Sequence, residues 1–319
     1  SGIKKSLFLK NSKNPARLCN NSSPTSIKSP FFFAILLFEV FMRIETIDKV
    51  IVPFRAPEIQ KAIVNYDLNE YFYFDQQWDV NKRFDIIDEF DQTLREWVTF
   101  DLPDYNFYST AGSTEAIVYC LLTAKFESKK IAMLEDDYRW YPLICNNLEI
   151  PFDIVKEPSQ ITSDHIFVTS TPFCKDGSVS DLQLLLLDYC EQKNIEVWLD
   201  FAYYGAGKLI DIDITKNVRN IFFSFSKNFA LALNRIGVWL TSDRPIDRVV
   251  LNNVAYLNLA NMGLASHLMK QFPPDFLWNN YRELQLSVTN SPTDIICLSE
   301  EGCITKLLLD KVKEDYQYF

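Results

Sequence analysis

Between residues 114 and 241 the chain switches repeatedly between two spacings of apolar positions. Short, nearly unbroken apolar runs occur at Ile131 to Leu134, His165 to Thr169, Ile195 to Asp200 and Val218 to Phe223. Runs of that length are strands covered on both faces. Between them, Thr114 to Phe126 and Asp181 to Lys193 repeat apolar residues every three or four positions, the stride of a helix with one buried face. Strand and helix in alternation predict an α/β fold, a three-layer αβα sandwich around a mostly parallel mixed sheet. A further run, Ile236 to Leu240, predicts one more strand. Neither an internal repeat nor a coiled-coil heptad stands out.

The flanks read differently. A short polar helix is predicted around Ala56 to Asn65, followed by the aromatic segment Tyr71-Phe72-Tyr73-Phe74. Towards the other end, helices are predicted over 245–259 and 265–288, the second interrupted at Phe272-Pro273-Pro274. A strand at Ile295 to Leu298 and a helix at Cys303 to Lys313 complete the pattern. Four parts follow: a leader at 1–41, an N-terminal segment at 42–90 with part of a small domain, a large domain at 91–264, and 265–319 as a connecting helix with an incomplete small domain.

Charge separates the leader from the rest. Residues 1–41 carry five lysines and Arg17 against the one acid Glu39, whereas the whole chain of 319 residues has a net charge of −10. The apolar run Phe31 to Phe38 is too short for a bilayer, which needs about 20 residues, and no small-residue cleavage site follows it. Met42 is therefore an alternative start. The acidic body argues against a nucleic-acid partner, since phosphate binding needs clustered lysine and arginine. Seven cysteines without CxxC spacing, beside only His165 and His267, give no legible zinc site and fit a reducing, cytoplasmic compartment. A hydrophobic content of 48% sets disorder aside as a general description.

Three short stretches carry chemistry. Ser224-Phe225-Ser226-Lys227, followed by Arg235-Ile236-Gly237, sets one lysine among hydroxyls with an arginine nearby. Asp200 ends an apolar strand, with Tyr203 three residues on. Ala111-Gly112-Ser113-Thr114-Glu115 opens a helix whose first amides and hydroxyls can hold a phosphate. Alone, each has a plainer reading: a surface lysine, a helix cap, a helix start. Pyridoxal phosphate explains all three at once. Its aldehyde needs a lysine amine for a Schiff base (Lys227), its ring nitrogen a carboxylate (Asp200), its 3'-oxygen a donor (Tyr203), and its phosphate hydroxyls and a guanidinium (Ser113, Thr114, Ser224, Ser226, Arg235). Tyr138, in Asp136-Asp137-Tyr138-Arg139-Trp140-Tyr141, is the candidate to stack on the ring. His165, at the head of a strand, reads as structural.

This order and spacing resemble the class I/II aminotransferases of fold type I, the histidinol-phosphate aminotransferase branch in particular, over roughly residues 105–240. The family's phosphate loop falls on Gly112, Ser113, Thr114 and Glu115, its paired aromatics on Tyr138 and Tyr141, its aspartate and tyrosine on Asp200 and Tyr203. Its lysine motif and the arginine after it fall on Ser224, Ser226, Lys227, Arg235 and Gly237. The resemblance implies a homodimer acting on an amino donor and a 2-oxo acid, with Tyr71 or Tyr73 reaching a partner's phosphate. The same pocket also serves lyases such as threonine-phosphate decarboxylase, or a noncatalytic protein that keeps the cofactor.

Two departures matter. Where the family writes a second asparagine beside the cofactor's 3'-oxygen, the stretch Thr171-Pro172-Phe173-Cys174-Lys175-Asp176-Gly177 places Cys174, a weak donor or a small packing residue. The family's carboxylate-binding arginine lies further along than the 92 residues that follow Lys227. The resemblance then leaves Arg139 or Arg55 to meet a substrate carboxylate, in a chain that is either a minimal variant or truncated.

Overall fold

The computed structural model describes residues 52–67, 80–243, 258–288 and 294–298. The expectations for the leader, for Tyr71 and Tyr73, for most of the helix at 245–259 and for the helix at 303–313 lie outside these residues.

Seven strands form the central sheet: β2 (Asn106–Thr110), β3 (Lys130–Leu134), β4 (Phe152–Val155), β5 (His165–Ser170), β6 (Val197–Phe201), β7 (Val218–Ser224) and β8 (Gly237–Thr241), in the order β2-β8-β7-β6-β5-β3-β4. Six run in one direction; β8 alone opposes them, pairing antiparallel with both β2 and β7. A two-stranded ribbon, β1 (Val52–Pro53) with β9 (Cys297–Leu298), is separate from it. The helices are α1 (Pro57–Asn65), α2 (Val80–Trp97), α3 (Ser113–Phe126), α4 (Trp140–Leu148), α5 (Asp181–Gln192), the short α6 (Phe225–Asn228), α7 (Leu259–Gln271) and α8 (Phe276–Val288).

Three layers arise from the two-residue period of the strands. Along β7, Ile221 and Phe223 enter one apolar core while Phe222 enters the other, and β6 divides Leu199 and Phe201 from Trp198 in the same way. The larger core takes Phe90 and Leu94 of α2, Leu186 of α5 and Met262 and Leu268 of α7. The smaller takes Ile117, Cys120 and Leu121 of α3 with Tyr141 and Cys145 of α4. Covered on both faces, β5, β6 and β8 are buried throughout, which is why they read as apolar runs.

Several elements differ from the sequence reading. The two outer strands, β2 and β4, were not predicted: their burial is mixed, as for strands without a neighbour on one side. Helices α2 and α4 also escaped it. At the C-terminal side, α7 begins at Leu259, earlier than the predicted 265, because the Asn258 side chain accepts a hydrogen bond from the Asn261 N–H and caps the helix there. The predicted break at Phe272-Pro273-Pro274 separates α7 from α8. The predicted strand at 295–298 is reduced to Cys297–Leu298.

Candidate functional site

Register brings the candidate residues to one edge of the sheet. Thr110, Gly237 and Ser224 lie side by side across β2, β8 and β7, and Ser170 sits opposite Asp200 across β5 and β6. Since β8 is antiparallel to its neighbours, its first residues emerge where the others end. Arg235, just before β8, therefore shares an edge with Gly112, just after β2. In α/β sheets, ligands bind outside the carboxyl ends of the strands.

An open cleft occupies this edge, lined by Gly112, Ser113, Thr114, Tyr138, Asp200, Tyr203, Ser224, Ser226, Lys227 and Arg235 among others. Of the candidate residues, the exception is Cys174. It is buried behind the cleft, packed in a small cluster with Tyr203, Ala206 and Ile295, and burial raises its thiol far above the ordinary value. Arg139 and Arg55 are exposed, and neither is among the lining residues. Ser170 and Ala202 line the cleft without having been singled out in the sequence. No linear motif marks Ser170; only its register with Asp200 does.

The anion end is built from α3 and the β7–β8 connection. Gly112 caps α3 at φ 97°, with no side chain on the first amides. An alanine Cβ there would lie 2.9 Å from a terminal nitrogen of Arg235 and 3.7 Å from the Ser224 hydroxyl. Only glycine leaves this space open. Gly237 backs onto it: a Cβ there would come within 2.6 Å of the Gly112 Cα. The Arg235 guanidinium donates to the Ala111 carbonyl, which holds the cation across the cradle. Ser224 caps α6, accepting from the Ser226 N–H. The Ser226 hydroxyl is buried, lies at the cleft and has no hydrogen-bond partner among the described residues. A buried hydroxyl left unpaired is costly, and a ligand oxygen would pair it.

At the other end, Asp200 is almost fully buried. Its carboxylate accepts from the Tyr141 hydroxyl at 2.9 Å and the Ala202 N–H at 3.0 Å. Burial pushes its carboxyl up to about 7, the nearby Asp137 adds to the rise, and the Tyr141 hydroxyl opposes it. The Tyr141 phenol is itself raised well above its usual value, by burial first and by Asp200 next, so it remains a donor. Tyr138 packs edge to face against Tyr141, ring centroids 5.3 Å apart, and its hydroxyl pairs with Thr114 at 3.0 Å. Lys227, partly exposed in α6, holds its ammonium 6.0 Å from the centre of the Tyr203 ring. His165 lies at the opposite end of β5, bonded to Asp153 and Thr162, far along the strand from Ser170.

Among the described residues no cluster of His, Cys, Asp and Glu could hold a metal, and no helix is long and apolar enough to cross a membrane. Cys120, Cys145, Cys174 and Cys190 are free and buried.

Neither a family model nor a curated protein matches the sequence. Solved structures do match the fold. An aminotransferase from Mycobacterium tuberculosis aligns with a TM-score of 0.56 at 16% identity, covering 86% of this chain and 82% of that one. A tyrosine aminotransferase from Leishmania infantum aligns at 0.51 and 18%, covering 76% and 77%, and an aminotransferase from Helicobacter pylori at 0.51 and 14%, covering 73% and 69%. At such identities the likeness is one of fold: the chain has the fold type I architecture of these aminotransferases.

Proposed function

We propose that this chain is a pyridoxal-phosphate-dependent aminotransferase, moving an amino group between an amino acid, or an amine derived from one, and a 2-oxo acid, as a homodimer. The observation that carries this reading is the convergence, in one cleft, of a lysine, a strand-end carboxylate and an anion cradle whose Ser226 hydroxyl has no partner among the described residues. The residues present fit the group. Arg235, Ser113, Thr114, Ser224 and Ser226 would hold its phosphate, Asp200 its ring nitrogen, Tyr203 its 3'-oxygen, and Tyr138 would cover the ring.

When bound, pyridoxal phosphate supplies an electron sink for charge developing at the substrate's Cα. Lys227 contributes the amine that anchors the cofactor. The same amine, when free, would be the general base for the proton at the substrate's Cα. Asp200 would hold a proton on the ring nitrogen, and its burial would keep water from competing for that bond. Tyr141, donating to the second carboxylate oxygen, fixes the direction in which Asp200 points. Cys174, behind the wall, leaves the 3'-oxygen to Tyr203.

Mixing the protein and cofactor with a panel of amino donors tests the reaction. Conversion of the cofactor to its amine form with release of a 2-oxo acid supports the proposal. Carbon dioxide release would point to a decarboxylase, and an unchanged spectrum with every donor would reduce the protein to a binder. The cradle has its own test. Arg235→Ala and Thr114→Ala should each weaken pyridoxal phosphate binding about tenfold, the loss of about one charge-assisted hydrogen bond. Gly112→Ala should weaken it further, because it adds strain at positive φ to a clash with Arg235. Equilibrium dialysis would show it, and affinities untouched in all three variants would mean that the phosphate sits elsewhere.

A further inference from the structure

Asp137 is a second buried acid beside the site, and the proposed chemistry gives it no task. It lies in the tight turn after β3, one residue beyond Asp136, which adopts a left-handed backbone at φ 63°. Only 9% of its surface is exposed. Every group that stabilises it is a neutral donor. The Tyr138 N–H donates to one carboxylate oxygen at 2.7 Å, the Ser170 hydroxyl donates to that same oxygen, and the Ser170 N–H donates to the other at 3.1 Å. Ser170 in turn accepts from the Cys174 N–H at 2.9 Å, so its one proton is committed to Asp137.

These bonds join two separate pieces of the cleft wall. Tyr138 sits on the β3–α4 turn; Ser170 ends β5, directly opposite Asp200. No backbone ladder links that turn to that strand end, and the Asp137 carboxylate supplies the link. A hydrophobic residue at 137 would leave the Tyr138 and Ser170 amides without these acceptors.

We propose that Asp137 is a positioning residue of the cofactor site: its buried carboxylate ties the turn carrying Tyr138 to the strand end carrying Ser170, and so sets the ring-covering tyrosine against the Asp200 row. The inference rests on the cleft being a pyridoxal phosphate site. Its charge has a second effect. The groups around Asp200 are the Tyr141, Tyr138 and Ser113 hydroxyls, the Ala202 N–H, the Cys174 thiol and the Asp137 carboxylate, with the Lys227 and Arg235 cations lining the same cleft; the Asp137 carboxylate favours a proton on Asp200.

Asp137→Asn and Asp137→Ser, made in the full chain, test the tie in two ways. Without cofactor, amide exchange in peptides spanning Tyr138 and Ser170 should quicken about tenfold in both variants, with the rest of the sheet unchanged. With cofactor, affinity should fall about tenfold, the circular dichroism of the bound cofactor should shrink, and the midpoint of the pH dependence of binding should move to lower pH as Asp200 loses its anionic neighbour. The serine variant serves if the asparagine variant does not fold. Unchanged exchange at both amides, or unchanged dichroism and pH midpoint in a variant that still binds, would overturn the proposal. Failure of the unaltered protein to take up pyridoxal phosphate would instead sink the reading of the cleft, with the exchange result standing as a property of the turn alone.

Discussion

Replacing Lys227 with alanine should abolish covalent capture of pyridoxal phosphate and slow amino transfer on the order of 10⁴-fold or more, because one side chain supplies both the anchoring amine and the general base. Borohydride added to protein and cofactor should label Lys227 in the unaltered chain and label nothing in the variant. Lys227→Arg sharpens the test. Arginine keeps the positive charge in α6 and any attraction for the phosphate, but its guanidinium remains protonated and cannot serve as the amine. If charge alone mattered, Lys227→Arg would retain most of the activity. The proposed role requires it to be as inactive as the alanine variant while still binding cofactor noncovalently. Labelling on a different lysine would end this assignment.

Asp200→Asn should leave cofactor bound but cut the rate of Cα proton removal about 10²–10³-fold, as expected for loss of a preorganised electrostatic partner. The local bonds say how the amide would turn. The Ala202 N–H can only donate, so the amide oxygen must face it and the amino group faces Tyr141, whose hydroxyl can reverse and accept. No anion then remains to hold a proton on the ring nitrogen. The same substitution has an opposite effect on the empty protein. Between the ordinary value of 3.8 and about 7, folded Asp200 keeps a proton that the unfolded chain has released. Stability without cofactor therefore declines as pH rises through that window. Thermal unfolding of Asp200→Asn should lose this part of the decline and exceed the parent near pH 8. A variant with normal proton removal, read by deuterium exchange at the substrate's Cα, would show that Asp200 does not serve the ring.

Much of the central sheet could be read from the chain because burial on both faces writes a continuous apolar run. Ile221 to Phe223 and Ile166 to Val168 are of this kind. The outer strand Asn106–Thr110 is not, since its first residue is exposed and the next three only half-buried, which leaves no alternation to see. In α2 the core contacts Phe90, Leu94 and Trp97 do keep a helical stride, but dense charge around them hides it. At the site, residues that announce themselves in linear motifs were legible: the lysine, the strand-end aspartate and the glycine before a helix. What was not legible depends on register. Ser170 meets Asp200 only across two strands, and Asp137 reaches Ser170 across 33 positions. Cys174 had two readings, a weak donor beside the cofactor or a small packing residue, and the fold packs it into the small cluster with Tyr203, Ala206 and Ile295.

That small cluster depends on a strap of five residues, 294–298. The Asp294 N–H donates to the Asp176 carbonyl, the Asp294 carbonyl accepts from the Lys208 N–H, and the Ile296 N–H donates to the Ala206 carbonyl. Ile295 fills the space between them, so closely that a Cβ on Gly177 would fall 2.3 Å from its side chain and one on Gly207 would fall 2.0 Å from the Asp294 carbonyl oxygen. The partners are separated by roughly ninety to one hundred and twenty residues along the chain, and contacts of such span form late because loop closure must precede them. During synthesis, the sheet can assemble as its strands leave the ribosome, but the loops beside Tyr203 must wait for a segment made long after them. A nascent chain arrested before residue 294 should hence carry a folded scaffold whose cleft wall is not yet braced, leaving the order of translation to decide when the loops beside Tyr203 first become fixed.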